Sequence, residues 1–111
     1  MILPRLIRLS VGAELRDAVR KAFELRELGT PAALRASAEL FTEVADAPAT
    51  SGLGKMAFSA HAASSSELAG DYTQHAFLVE RAVQACSELP SDMSHLLTSI
   101  LRGPTATALP Q

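Results

Sequence analysis

The sequence predicts an all-α fold: a small bundle of four to five short antiparallel helices, arranged as two helical hairpins plus a C-terminal helix. Three observations carry that expectation. The chain of 111 residues is 48% hydrophobic but only 5% aromatic, with no Trp, so its core must be built from Leu and Ala, which are good helix formers. Its apolar residues recur at three- and four-residue spacing and never alternate over a long run, which disfavours strands. Gly and Pro fall between the periodic segments rather than inside them. A chain of this length makes one domain, expected over residues 1–104, with residues 1–11 as an N-terminal arm and 105–111 as a disordered tail.

The first helix is expected from about Gly12 to Leu28. Leu15, Ala18, Val19, Ala22, Leu25 and Leu28 form one stripe, and Asp17 stands four residues before Lys21, a favourable surface pair. Gly29 is placed to end it. Thr30-Pro31 then offers a capping hydroxyl and a proline at the first helical position. Leu34, Ala38, Phe41, Val44 and Ala45 make the buried face of this second helix, which stops before Pro48. So short a turn folds the first two helices back on each other.

Residues 47–54 read as a loop, and a third helix follows from roughly Lys55 to Ala69. Ala and Ser dominate it, and Ser64-Ser65-Ser66 lowers its helix propensity while permitting close approach of a neighbour. After Gly70, Asp71 can cap a fourth helix, with Gln74 positioned for a capping box. Its stripe is expected on Ala76, Val79, Val83 and Cys86. Ser91 is the expected cap of a fifth helix with Met93, Leu96, Leu97, Ile100 and Leu101 as its apolar face, ended by Gly103-Pro104.

Two units share one layout of helix, glycine turn, helix and proline: Gly29 and Gly70 lie 41 residues apart, and Pro48 and Pro90 lie 42 apart. The second unit resembles a tetratricopeptide repeat in Ala69-Gly70-Asp71-Tyr72, which matches that family's turn, and in Ala82, where the family has a small residue. It departs at Ser59, Ala62-Ala63 and Ser66, where the family's first helix carries Trp, Leu-Gly and Tyr. It departs again at His75 and in the late Pro90. The resemblance implies a peptide-binding scaffold rather than an enzyme.

Charge excludes little but is unevenly spread. The net charge is −2, which gives no electrostatic case for a nucleic-acid partner. Residues 1–26 carry +3 (Arg5, Arg8, Arg16, Arg20, Lys21 and Arg26 against Glu14, Asp17 and Glu24), and the remainder carries −5. The opening stretch has no acidic residue before Glu14, as in mitochondrial presequences, but lacks the long apolar core of a secretory signal. A cytoplasmic location is expected, with a mitochondrial one as the alternative. No apolar run approaches a membrane-spanning length.

No cluster specifies a reaction. Gly52-Leu53-Gly54-Lys55 lacks the first P-loop glycine (Ala49 stands there) and the magnesium-ligating hydroxyl (Met56 follows the lysine). His61, His75 and His95 are separated by 14 and 20 residues, which does not match the paired spacing of helical zinc sites. Cys86 is a lone cysteine on an apolar stripe and reads as a small buried hydrophobe. Glu39 and Glu43 share a helix face that reads as solvated. His61, followed by small residues, resembles the site of a histidine-phosphotransfer domain, but the lysine such a site places just after its histidine is absent. Catalytic, cofactor and metal residues are therefore expected to be none. The expected function is a non-enzymatic protein–protein interaction module: a scaffold, adaptor or small complex subunit, joined to a protein partner or to itself. The alternatives are a phosphotransfer-like regulatory bundle using His61 and an accessory subunit of an organellar or membrane-associated complex.

Overall fold

A computed structural model describes residues 2–108, with side chains described for residues 15–102. Among the described residues there are five helices and no strand: α1 (Ile2–Leu28), α2 (Pro31–Asp46), α3 (Gly52–Leu68), α4 (Tyr72–Cys86) and α5 (Ser91–Ala108). Each helix packs chiefly on its neighbours in sequence, in the order α1, α2, α3, α4, α5. The result is a flat slab with principal extents of 55 × 37 × 17 Å. None of the described helices is long and apolar enough to cross a membrane.

The punctuation residues act much as their chemistry dictates. Thr30 caps α2 by accepting from the Ala33 amide at 3.2 Å, with Pro31 in the first turn. Asp71 caps α4 by accepting from the Gln74 amide at 3.2 Å. Gly29 and Gly70 adopt φ of 74° and 81°, the left-handed conformation that turns the chain between paired helices and that side chains resist.

Several boundaries differ from expectation. Residues 2–11, expected as an arm, are the first turns of α1. No turn residue separates them from the periodic stretch that follows, and Pro4 falls in a first turn, where its missing N–H costs nothing. The first turn of α3 starts at Gly52 because Ser51, within the expected loop, caps it by accepting from the Gly54 amide. Ser91 is the first residue of α5 rather than its cap, and the Ser94 amide bonds the Pro90 carbonyl. α5 continues through Gly103-Pro104 to Ala108, so the start of the expected tail is helical; residues 109–111 lie outside the described residues. Asp17 pairs with Arg20 at 2.9 Å rather than with Lys21.

The core has two parts. Ala22, Phe41, Ala62, Ala63 and Leu78 join α1, α2, α3 and α4, with Val19, Leu40, Phe58 and Val79 against them. Phe41 is fully enclosed, and truncating such a ring to Ala costs roughly 3–5 kcal/mol. Met56, Ala82, Ala85 and Cys86 form the second part, closed by Leu97 and Leu101 of α5. The α2 face is the expected one, and Cys86 is buried as expected. The buried face of α4 is turned from expectation: Leu78, Ala82, Ala85 and Cys86 are inside, while Ala76 is exposed. α4 is pressed from two sides, by α3 and α5, and the stripe it buries follows those two neighbours rather than its most β-branched line.

Candidate functional site

Because consecutive helices run antiparallel, α2 and α4 run in the same direction and stand on either side of α3. The α3 residues between them are small. Ser59 and Ser66, seven residues apart and hence on one face of the helix, form the floor of a groove whose walls are α2 and α4. The groove follows α2 from Arg35 to Asp46, about 16 Å at the rise of an α-helix.

A strap divides it. Arg81 of α4 pairs with Asp46 of α2 across the gap. On one side lies an upper recess of about 470 Å³, lined by Arg35, Glu39, Thr42 and Glu43 of α2, Ser66 of α3, and Asp71 and Gln74 at the start of α4. On the other lies a lower recess of about 240 Å³ with Asp46, Lys55, Ser59, Arg81, Gln84 and Glu88 on its walls.

The two recesses differ in how far their polar groups are satisfied. In the lower one, Asp46 holds Arg81, and Lys55 Nζ donates to the carbonyl oxygens of Ala45 at 3.1 Å and Ala47 at 3.5 Å. Those carbonyls lie at the C-terminal end of α2, where a cation also offsets the helix dipole. The lysine that invited a phosphate-loop comparison is thus a helix-capping group. In the upper recess, Glu39, Glu43 and Arg35 enter no ion pair among the described residues. Ser66 is only 2% exposed, and its hydroxyl has no hydrogen-bond partner among the described residues. No fully enclosed side-chain polar atom there lacks a partner, so the Ser66 hydroxyl opens onto the groove.

A second polar cluster lies on the other side of α3, between α1 and α2. Arg26 Nη2 donates to the His61 carbonyl at 2.8 Å and lies 3.5 Å from His61 Nδ1; its Nε donates to Ser65 Oγ at 3.1 Å. Ser37 Oγ donates to the Ala22 carbonyl at 2.7 Å and lies 3.0 Å from Ser65 Oγ. A hydroxyl has one proton, so Ser65 must donate to Ser37. The bonds therefore run in one direction, from Arg26 through Ser65 and Ser37 to α1 again. The guanidinium carbon sits 5.4 Å from the Phe23 ring centroid and 5.2 Å from that of Phe41. The His61 ring is flanked by Phe23, Phe41 and Phe58. Burial first, and the Arg26 charge second, hold the His61 pKa below its ordinary value.

The other residues singled out in the sequence lie apart. His75 Nδ1 bonds the Ala63 carbonyl at 2.9 Å, and its Nε2 is 4.0 Å from Glu67. His95 is exposed on α5. The three histidines do not meet, and among the described residues no set of three His, Cys, Asp or Glu side chains is close enough to hold a metal ion. On α5, Leu97 and Leu101 face α4, but Met93, Leu96 and Ile100 are 41%, 61% and 63% exposed, so three of these five apolar side chains are uncovered.

Compared with protein-family models, with curated proteins and with solved structures, the chain matches none.

Proposed function

We propose that the chain is a non-enzymatic protein–protein interaction module, an adaptor or small complex subunit, that grips a segment of a partner protein in the groove between α2 and α4. One observation carries the reading: two helices stand as walls over a serine-floored helix, leaving a concave surface about 16 Å long, from Arg35 to Asp46, with polar groups open to it. Recognition sites of this kind combine a preformed cleft with a few unspent polar groups. The hairpin layout of α1–α2 and α3–α4, and the tetratricopeptide-like turn at Ala69–Tyr72, agree with a scaffold role.

Selection from a displayed peptide library on the purified full chain tests it. The expected result is a set of enriched peptides whose binding is lost in Ser59→Leu/Ser66→Leu, where the added side chains fill the groove floor. A wall variant, Glu39→Lys/Glu43→Lys, changes only exposed positions and guards against a folding defect; circular dichroism checks both. No enrichment, or enriched peptides that bind both variants as well as the parent chain, would overturn the proposal.

A phosphoryl relay through His61 is a second reading, favoured by one contact: Arg26 brings to the imidazole the positive charge that its local sequence lacks. Against it, three phenylalanine rings surround His61, and Arg26 already spends Nε and Nη2 on Ser65 and the His61 carbonyl. Acid-labile phosphate that disappears in His61→Gln would support the relay, and no incorporation from any phosphodonor would remove it. The accessory-subunit alternative rests on the basic N-terminus, whose side chains before residue 15 lie outside those described.

A further inference from the structure

We propose that the upper recess of the groove is a seat for an arginine side chain of the bound segment. The inference rests on the groove being the partner-holding surface and names the chemistry that fills its upper end.

The contrast between the two recesses points there. They share one floor helix and the same two walls, yet the lower one is balanced: Asp46 and Glu88 stand against Lys55 and Arg81, and the cations already have partners. The upper one sets Glu39, Glu43 and Asp71 against Arg35 alone, a formal −2. Asp71 Oδ1 already accepts from the Gln74 amide, and the two glutamates hold no cation among the described residues. An unmatched patch of one sign beside a matched patch recruits opposite charge to one end of a ligand and so fixes its direction in the groove.

Carboxylates alone make a solvated surface; the floor makes this a seat. Ser66 is buried between the walls, and its hydroxyl, without a hydrogen-bond partner among the described residues, opens into the recess. A ligand reaching it meets carboxylates on both walls and a hydroxyl acceptor below. The carboxylates are too dispersed for a metal ion, which needs three donors converging on one point. A guanidinium suits dispersed acceptors better, since it presents five N–H donors in a rigid plane and serves several acceptors at once. An ammonium concentrates its charge and its three donors at one atom.

Titration of the 15N-labelled full chain with N-acetyl-arginine amide, N-acetyl-lysine amide and N-acetyl-norleucine amide tests the assignment by NMR. The arginine compound should give saturable amide shifts at Ser66, Asp71 and Gln74, with the lysine compound several-fold weaker and the norleucine compound silent. Glu39→Gln/Glu43→Gln should weaken arginine binding by about three- to tenfold, the scale of two partly exposed ion pairs. Glu88→Gln in the lower recess should leave it unchanged. Absence of saturable shifts, shifts centred on Lys55 and Glu88, equal binding of lysine, or indifference to the Glu39/Glu43 change would each overturn the seat. Failure here is separable from failure of the groove reading: library peptides that need Ser59 and Ser66 but contain no arginine would leave the groove and remove the seat.

Discussion

Arg26 Nη2 donates to the backbone carbonyl of His61 at 2.8 Å, joining α1 to α3 across 35 residues of sequence. With Nε on Ser65 and the guanidinium over Phe23 and Phe41, this one side chain ties together three helices. Charged hydrogen bonds of this kind contribute about 1.5–3 kcal/mol each when water is largely excluded, and less where it is not. Arg26→Leu should therefore destabilise the fold by roughly 2 kcal/mol in urea titration, and Arg26→Lys should recover little, since an ammonium cannot serve both acceptors in that plane. A loss below about 0.5 kcal/mol, the scale of an ordinary surface substitution, would show the contact to be incidental.

Stability should fall on mild acidification. The His61 pKa is held below its ordinary value in the folded chain, so between the folded and unfolded values the unfolded state binds more protons. The neutral ring's full contribution is present above the unfolded value of about 6.5 and is lost as pH falls through it toward the folded value. Thermal midpoints of the parent chain and His61→Gln, taken from pH 7.5 to 5, should show a decline that is shallower in the variant. Parallel curves would contradict the assignment.

Ser37 and Ser65 should be energetically coupled. Without Ser65, Ser37 keeps its bond to the Ala22 carbonyl, and without Ser37, Ser65 keeps the one from Arg26, so each single change loses the buried bond the two share and the double change loses it only once. A double-mutant cycle with Ser37→Ala and Ser65→Ala should return an interaction of at least about 0.5 kcal/mol; strict additivity would mean the two do not share a bond.

Gly70 should resist substitution for a backbone reason alone. A Cβ there meets nothing within 4 Å, yet φ is 81°. Gly70→Ala should cost about 1–2 kcal/mol, and Gly70→Asn less, because Asn tolerates the left-handed region. Equal stability of all three chains would place the turn in another conformation.

On α5 the two halves of the apolar arc should respond differently. Leu97→Ala should cost about 1–3 kcal/mol, since Leu97 packs on the Met56–Cys86 cluster, while Leu96→Ala should stay within about 0.5 kcal/mol. The reverse ranking would mean that α5 sits rotated on α4.

Local chemistry made the helices legible in the sequence. Thr30-Pro31, Gly29, Gly70 and Asp71 each announce a helix end through a capping or φ preference that neighbours do not alter. Ser51 carried the same signal, but two glycines after it read as loop. The Ser-rich α3, the segment with the poorest propensity, is flanked by α2 and α4, because packing on both sides outweighs propensity. Ser59 and Ser66, where the tetratricopeptide pattern has large aromatics, were the available clue to a groove. Glu39 and Glu43 read as a solvated face; they are exposed, but α4 stands beside them, and no local pattern records that. Arg26 was equally out of reach as the partner of His61, being placed by the tertiary fold alone.

The most direct test of the interaction-module proposal is an NMR titration of the labelled chain with the tightest peptide from the library. Amide shifts spread along Ser59–Ser66 and along the α2 and α4 walls, from Arg35 to Asp46 and from Asp71 to Glu88, are the predicted result. Shifts confined to α5 around Met93, Leu96 and Ile100, with the groove silent, would contradict it.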